Sequence, residues 1–254
     1  MSWLDSKRMP QPEVWETEEE KSPPSGSAGE RRRAHFDNQC VEHAIRLGMH
    51  QGVLLHIGTG DGRIALELAN RCPEVTLLSI DRSSTRIASA TEAAERGGLQ
   101  GRTHFQVADL RRTKFKSGYF DGVLSNEMLH LVEDPLALLN EMARVVKKDG
   151  AVLVRDLRRP SLLSSWWHGR WFGRSYSGKS RESFLVSVGA AYSYSEWQKL
   201  LQESALRGSA QIFVRGLTHM GIERPARESL FMTLAERKAR REYLVETEGW
   251  RKGV

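Results

Sequence analysis

The chain has 254 residues and a net charge of +6, a size that suits one large α/β domain or two small ones. Apolar residues make up 39% and charged residues 28%, proportions that exclude collagen-like, fully disordered and coiled-coil proteins. No apolar run approaches the roughly 20 residues of a bilayer-spanning helix, and the first ten residues lack the apolar stretch of a signal peptide. We therefore expect a cytoplasmic protein with no membrane partner. The two cysteines, Cys40 and Cys72, lie in no Cys/His cluster, so no metal site is expected.

Residues 1–34 are expected to form a mobile arm, because runs of glutamate and arginine flank a stretch rich in proline, glycine and serine. Such a composition cannot bury enough apolar surface to fold alone. Within the arm, only residues 9–15 carry apolar anchors. Two interpretations stay open for them: they fold back over a functional site, or they belong to a disordered leader.

From residue 52 onward, short apolar runs alternate with segments of helical periodicity. This alternation predicts parallel strands joined by helices, and therefore a doubly wound α/β sheet with its ligand at the carboxyl ends of the strands. The predicted strands are 53–57, 75–80, 103–107, 120–124 and 151–155, and the predicted helices are 63–69, 83–96 and 135–146.

The regular alternation ends at Pro160. Residues 161–189 show no clear strand or helix period and are interpreted as an insertion that covers the site. A capping-box sequence at residues 193–196 predicts the start of another helix. Two strands, 210–214 and 217–222, are then expected to complete a domain that spans residues 35–225 and precedes a charged C-terminal helix at 226–254.

A glycine-rich segment lies between the first predicted strand and its helix. Gly58, Gly60 and Gly62 lack a Cβ, so the backbone there can turn sharply and approach a ligand. Asp81 follows Gly62 by 19 residues, at the end of the second predicted strand, where a carboxylate can accept two hydrogen bonds from a ribose diol. The spacing of the glycines differs from the GxGxxG of nicotinamide-binding proteins.

Polar residues also close the next two strands: Asp109 ends the third, and Ser125, Asn126 and Glu127 end the fourth. With the glycine segment, they resemble the class I S-adenosylmethionine-dependent methyltransferases of the small-molecule branch, whose core reads like VLDLGCGTG, GVDxS, ADA, SNxxLHH and RVLKPGG. The resemblance covers roughly residues 36–160. It implies a Rossmann-like sheet of seven strands, mostly parallel, with an antiparallel last strand.

The resemblance also implies the cofactor, S-adenosyl-L-methionine, and its product, S-adenosyl-L-homocysteine. A carboxylate only accepts hydrogen bonds, which suits Asp81 to the ribose hydroxyls and Asp109 to the adenine amine. Asn126 is expected beside the sulfonium. The implied cofactor-binding residues are His56, Gly58, Thr59, Gly60, Asp81, Arg82, Asp109, Leu110 and Asn126.

His56 departs from the family pattern, which has an acidic residue at this position that helps to hold the ammonium group of the cofactor. A neutral imidazole can still accept one hydrogen bond, whereas a protonated imidazole repels an ammonium group. We therefore expect cofactor binding to weaken at acid pH. The departure also leaves open a catalytically silent, cofactor-binding relative.

Transfer of a methyl group from a sulfonium requires alignment and exclusion of water, and a base only where the acceptor must lose a proton. His130 and Glu127, just past the fourth strand, are the candidate catalytic residues by position. Trp166, Trp167 and Trp171, together with Tyr176, are expected to form a lid over the acceptor.

Two classes of acceptor stay open. Arg158, Arg159, Arg170 and Arg174 are expected around the entrance, where they favour an anionic or aromatic small molecule. Residues 155–182 also carry seven basic and two acidic side chains interleaved with aromatic ones, which is typical of nucleic-acid binding. The fourth strand nevertheless ends in SNEM, without the Pro-Pro element of enzymes that methylate base amines. The sequence does not predict the acceptor atom or the oligomeric state.

Overall fold

The computed structural model describes residues 7–10, 28–160 and 178–227. The helices are α1 (Ala28–Arg46), α2 (Arg63–Arg71), α3 (Ser84–Arg96), α4 (Pro135–Val145), α5 (Gly178–Ala190) and α6 (Tyr194–Glu203), with a short 3₁₀ helix, η1 (Leu129–Leu131). The strands are β1 (Gly52–Ile57), β2 (Val75–Asp81), β3 (Thr103–Val107), β4 (Phe120–Asn126), β5 (Val146–Leu157), β6 (Gln211–Arg215) and β7 (His219–Arg224).

The strands form one seven-stranded sheet in the order β3-β2-β1-β4-β5-β7-β6. Strands β1 to β5 pair in parallel, whereas β7 runs antiparallel to both β5 and β6. The predicted mostly parallel sheet with an antiparallel last strand is confirmed. The strand order reverses between β1 and β4, and ligands of such sheets bind beside the carboxyl ends of the strands at that point.

The core lies on both faces of the sheet, which explains why β1 and β2 are buried along their whole length and read as continuous apolar runs. On one face, α1 and α2 pack on alternate strand residues such as Leu54 and Leu124. On the other face, α4 and α6 pack on the intervening residues, and the Trp197 side chain is fully buried there. Within the described part of the chain, no helix is both long and apolar enough to cross a bilayer.

Residues 28–34, which the composition assigns to the N-terminal arm, form the first turns of α1. The helix is anchored by its second half, where Cys40, Val41 and Ala44 are fully buried against the sheet. Its charged first half makes ion pairs with the glycine-rich segment. The described residues of the remaining arm, 7–10, contact α5 and η1.

Strand β5 begins earlier than predicted, at Val146 instead of residue 151, and its pairing with β4 is irregular between Val146 and Ala151. Gly150 makes this possible, because a Cβ there would lie 2.8 Å from the Asp121 carbonyl oxygen.

Part of the predicted irregular insertion is helical, since α5 covers residues 178–190. Its apolar side chains lie on more than one face: Val188 is buried, whereas Leu185 and Val186 are exposed. This distribution explains why the sequence shows no helical period there. The predicted lid residues Trp166, Trp167, Trp171 and Tyr176, and the C-terminal helix beyond residue 227, lie outside the described residues.

Candidate cofactor and acceptor site

The loop between β1 and α2 makes two turns that require glycine. Gly58 and Gly60 have φ angles of +75° and +56°, a region that strains other residues. The Gly58 N–H donates to the Ile80 carbonyl (2.8 Å), which ties the loop to the end of β2. A Cβ on Gly58 would lie 2.6 Å from Met128 Cγ, whereas a Cβ on Gly60 would enter open space. The loop therefore leaves its Gly60 side open to a ligand.

Asp81, at the end of β2, holds this loop in place. One carboxylate oxygen accepts the Gly60 N–H (2.9 Å) and the other accepts the Ser83 N–H (3.0 Å). Each carboxylate oxygen has two lone pairs, so both keep the capacity to accept a ribose hydroxyl. The glycine loop and the Asp81 carboxylate, which the sequence assigns to one ligand site, are therefore in direct contact.

Asp109 lies after β3, on the same edge of the sheet. Its Oδ1 atom accepts hydrogen bonds from the backbone N–H of Arg111 (3.0 Å) and from its Nε (3.4 Å). Partial burial alone would raise the pKa of Asp109, but the hydrogen bonds and charge of Arg111, together with the charge of Arg82, lower it. The side chain of the next residue, Leu110, is buried in the core. Asp109 is therefore an ionised, partly exposed carboxylate that could accept a hydrogen bond from the adenine amine, as the resemblance implies.

His56 lies on β1, and only 1% of it is exposed. Its Nδ1 atom is 3.2 Å from Thr59 Oγ1, and its Nε2 atom is buried with no hydrogen-bond partner among the described residues. Burial lowers the pKa of His56 to about 4. The imidazole is therefore neutral at mildly acidic pH, and the expected loss of cofactor affinity by protonation is confined to the region near and below pH 4.

Replacing His56 with aspartate is expected to tighten S-adenosylmethionine binding or leave it unchanged, because a carboxylate there would attract the ammonium group. Without the cofactor, burial of the new carboxylate should destabilise the fold by at least about 1–3 kcal/mol. Calorimetric titration and thermal unfolding with and without cofactor would measure both effects, with His56→Asn as the uncharged control. Complete loss of binding in folded His56→Asp would show that His56 has a role of its own.

At the end of β4, Asn126 is fixed by the neighbouring strand. Its side-chain oxygen accepts a hydrogen bond from Nη1 of Arg155 on β5 (2.7 Å). Arg155 is 1% exposed, its guanidinium lies 5.8 Å from the Phe36 ring of α1, and its Nε and Nη2 atoms have no hydrogen-bond partner among the described residues. The sequence placed Arg155 in a basic surface segment, and its burial corrects that interpretation.

Glu127 follows with a positive φ of 51°, which is uncommon for a residue with a side chain. Its Oε1 atom lies 3.0 Å from Nε2 of His219. Desolvation alone would raise the pKa of Glu127, but the hydrogen bond and charge of His219, with the charge of Arg155, lower it to about 2. Although 39% of the side chain is exposed, such a carboxylate is a weak proton acceptor at neutral pH. The geometry therefore disfavours Glu127 as the base.

His130, on η1, has a different environment. Its Nδ1 atom lies 2.6 Å from Oδ1 of Asp156, and its backbone N–H donates to Oδ2 of the same carboxylate (2.8 Å). Burial alone would lower the pKa of His130, but the charge and hydrogen bond of Asp156, with the charge of Glu127, raise it. An imidazole oriented by a buried carboxylate is the arrangement of a general base. We call this pair the His130–Asp156 dyad.

Two parts of the site were not predicted from the sequence. Asp156 is fully buried, and an acidic residue inside the apolar run of β5 was the available signal for it. The first half of α1 also borders the glycine loop, where Arg33 pairs with Asp61 (3.2 Å) and Asp37 pairs with Arg63 (2.9 Å).

Comparison with known proteins shows what this chain is similar to. Residues 55–154, which hold the glycine loop, Asp81, Asn126 and most of β5, match the family described as "Methyltransferase domain". These residues therefore match a methyltransferase domain, and the seven-stranded sheet around them has the fold of the class I S-adenosylmethionine-dependent methyltransferases. The cofactor of this family is S-adenosylmethionine.

The chain is 32% identical to an uncharacterized methyltransferase of Mycobacterium tuberculosis over 139 residues, which cover 53% of this chain, and it spans only 64% of the length of that relative. It is 26% identical to the ubiquinone/menaquinone biosynthesis C-methyltransferase UbiE of Citrifermentans bemidjiense over 194 residues, or 74% of this chain and 78% of the relative. It also resembles the structure of the plantazolicin methyltransferase BpumL in complex with SAH, with a TM-score of 0.57 and 16% identity, over 80% of this chain and 92% of that one. At this identity, the structural likeness shows the fold alone.

Proposed function

We propose that this protein transfers a methyl group from S-adenosylmethionine to a small-molecule acceptor. The observation that carries the proposal is the glycine loop fixed by Asp81, with its open side at Gly60. Strands β3, β2, β1 and β4 are neighbours in the sheet, and Asp109, Asp81, His56 and Asn126 lie at or just beyond their carboxyl ends. When bound there, the cofactor supplies a methyl group that its sulfonium has already activated.

The residues present fit this cofactor. The carboxylates of Asp81 and Asp109 suit the ribose hydroxyls and the adenine amine, and the Leu110 backbone suits the adjacent ring nitrogen. The glycine loop, with Thr59 and His56, suits the methionine part. If His56 donates its Nδ1 proton to Thr59, its buried Nε2 has a free lone pair for the ammonium group.

On the acceptor side, the His130–Asp156 dyad moves the proton. With the Nδ1 proton held by Asp156, the Nε2 atom of His130 carries the lone pair that takes a proton from an acceptor hydroxyl or amine. The names of the UbiE relatives, which refer to quinone biosynthesis, support an aromatic acceptor. The tryptophan lid that the sequence predicts in the insertion at residues 161–189 would exclude water from that acceptor.

The burial of two basic side chains weakens the alternative of a nucleic-acid methyltransferase. Two of the seven basic residues counted in segment 155–182, Arg155 and Arg159, are 1% and 5% exposed. Arg159 donates to the Ala191 carbonyl and to the Glu196 carboxylate (both 2.7 Å). Neither side chain is therefore available to a phosphate. The alternative of a catalytically silent relative rests on the presence of His56 in place of an acidic residue. This alternative also loses support, because a neutral His56 does not repel the ammonium group.

The test is a calorimetric titration of the full chain with S-adenosylmethionine, followed by a screen for S-adenosylhomocysteine formation. We expect saturable binding within about 1 μM–1 mM and turnover with a phenolic or quinol acceptor. The screen should include carboxylic acids, amines, thiols and RNA. Turnover with RNA alone would favour the nucleic-acid alternative, and binding without any turnover would favour the silent relative. Absence of binding would refute the proposal.

A further inference from the structure

Residues 7–10, which we call the N-terminal strap, lie against the end of α5. The Met9 N–H donates to the Gly189 carbonyl (3.0 Å), and Arg8 Nε donates to the Ala190 carbonyl (2.7 Å). The last carbonyl groups of a helix have no partner within the helix, and they carry its partial negative charge. The strap therefore caps α5 with one backbone donor and one cation.

Arg8 also reaches the element that carries the proposed base. Its Nη2 atom donates to the backbone carbonyl of His130 (3.2 Å), and its guanidinium carbon lies 4.2 Å from the centre of the Tyr192 ring. Tyr192 is itself buried. One side chain thus joins the end of α5, η1 and an aromatic face. Charge-assisted hydrogen bonds together with stacking hold a guanidinium in a defined orientation.

Among the charges that affect the pKa of His130, those of Asp156, Glu127 and Arg8 have the largest effects. Asp156 on β5 and Glu127 after β4 favour its protonated form, and Arg8 opposes it, so Arg8 lowers the pKa that the two carboxylates raise. Other described ionisable groups near η1 are paired, exposed or act as a helix cap. On α4, Glu141 and Arg144 pair with each other (2.7 Å). On α5, Arg181 and Glu182 are exposed near the opposite end of the helix. Before α4, Asp134 caps the helix through the Ala137 N–H and Glu133 lies 3.9 Å from Arg111.

We propose that Arg8 is a positioning residue for the His130–Asp156 dyad, and that the strap completes the acceptor side of the site by holding η1 against the end of α5. Its catalytic consequence rests on the proposed function, whereas the coupling between Arg8 and His130 does not. Arg8 acts through the His130 backbone and through its charge, and it takes no part in proton transfer.

The test measures the His130 imidazole directly, by NMR titration of the full chain, with His130→Gln used to assign the signal. In Arg8→Gln, we expect His130 to titrate at higher pH than in the wild type, because an opposing positive charge is gone. Amide exchange at Met9 should be about tenfold faster, as expected when charge-assisted hydrogen bonds are lost. Lys7→Gln is the matched control, since it removes the same charge from an exposed neighbour and should change neither quantity.

A second variant separates charge from geometry. Arg8→Lys keeps the charge but not the planar set of donors, so it should preserve the His130 titration better than Arg8→Gln while still accelerating exchange at Met9. If His130 titrates identically in Arg8→Gln and wild type, or if Lys7→Gln has the same effect as Arg8→Gln, the proposal is overturned. A failure of the wild type to bind S-adenosylmethionine would refute the proposed function and leave this measurement intact.

Discussion

Replacing His130 with glutamine is expected to lower kcat for methyl transfer by about 10²–10⁴-fold, the usual contribution of a general base, and to leave the Kd for S-adenosylmethionine unchanged. Glutamine removes the nitrogen that takes the proton, and no cofactor contact is assigned to this residue. The measurement is the rate of S-adenosylhomocysteine formation with the acceptor found in the screen, from about pH 5 to pH 9.

The pH profile tests the role of Asp156 in the same reaction. The base must be deprotonated to act, and Asp156 raises the pKa of His130, so the rate of the wild type should rise with pH through a midpoint above the usual histidine value of about 6.5. In Asp156→Asn the opposing effect of burial dominates, so the midpoint should move to lower pH. The maximal rate should also fall, because the imidazole loses its orienting carboxylate.

Glu127→Gln is the comparison variant, because Glu127 is the other residue that the sequence nominated as a base. Its pKa of about 2 implies that it is ionised throughout the tested range and does not cycle a proton. We therefore expect a smaller fall in kcat than in His130→Gln. The rise in rate with pH should persist, with its midpoint at lower pH, because the Glu127 charge favours protonated His130. If Glu127→Gln abolishes turnover and His130→Gln retains it, the assignment of the base is wrong.

Replacing Asp81 with alanine is expected to weaken S-adenosylmethionine binding by about 1–3 kcal/mol, or roughly 5- to 150-fold, because ribose hydroxyls would lose a charged acceptor. The same change removes the hydrogen bonds to the Gly60 and Ser83 backbones, so the variant should also unfold at lower temperature. Calorimetry would give the Kd, and circular dichroism would confirm that the variant is folded at the titration temperature.

Asp81→Asn separates these two roles. Asparagine keeps one acceptor oxygen, and therefore part of the loop structure, but its amide group cannot accept hydrogen bonds at the other position. We expect a smaller loss of thermal stability than in Asp81→Ala and a clear loss of affinity. An unchanged Kd in both folded variants would mean that Asp81 serves only the backbone turn.

The sequence predicted the local structure beside this candidate site, namely the glycine loop and the strands that precede and follow it. The glycine loop and Asp81 were recognisable because each depends on residue type next to a strand end, and strands β1 to β4 were recognisable because each is an apolar run with polar boundaries. The predicted and observed starts of these strands differ by no more than one residue.

The features missed by sequence reasoning depend on long-range pairing. Asp156 meets His130 across 26 residues, and His219 meets Glu127 across 92, because β5 pairs with β4 and β7 pairs with β5 in the sheet. No local pattern specifies such partners. The strap is a similar case. The contact of Arg8 is with a carbonyl group at the distant end of α5, so the residues around Arg8 do not predict it.

The irregularity near the start of β5 has a consequence at the opposite end of that strand. Between the pairs Phe120 with Val146 and Gly122 with Ala151, β4 advances by two residues and β5 by five, so β5 contains an odd number of extra residues. Side chains alternate between the faces of a sheet, so an odd insertion decides which face each later residue occupies. It directs Arg155 to Asn126 and Asp156 to His130. The irregularity at the start of β5 therefore determines which face of the sheet carries Arg155 and which carries Asp156 at the carboxyl end of the strand.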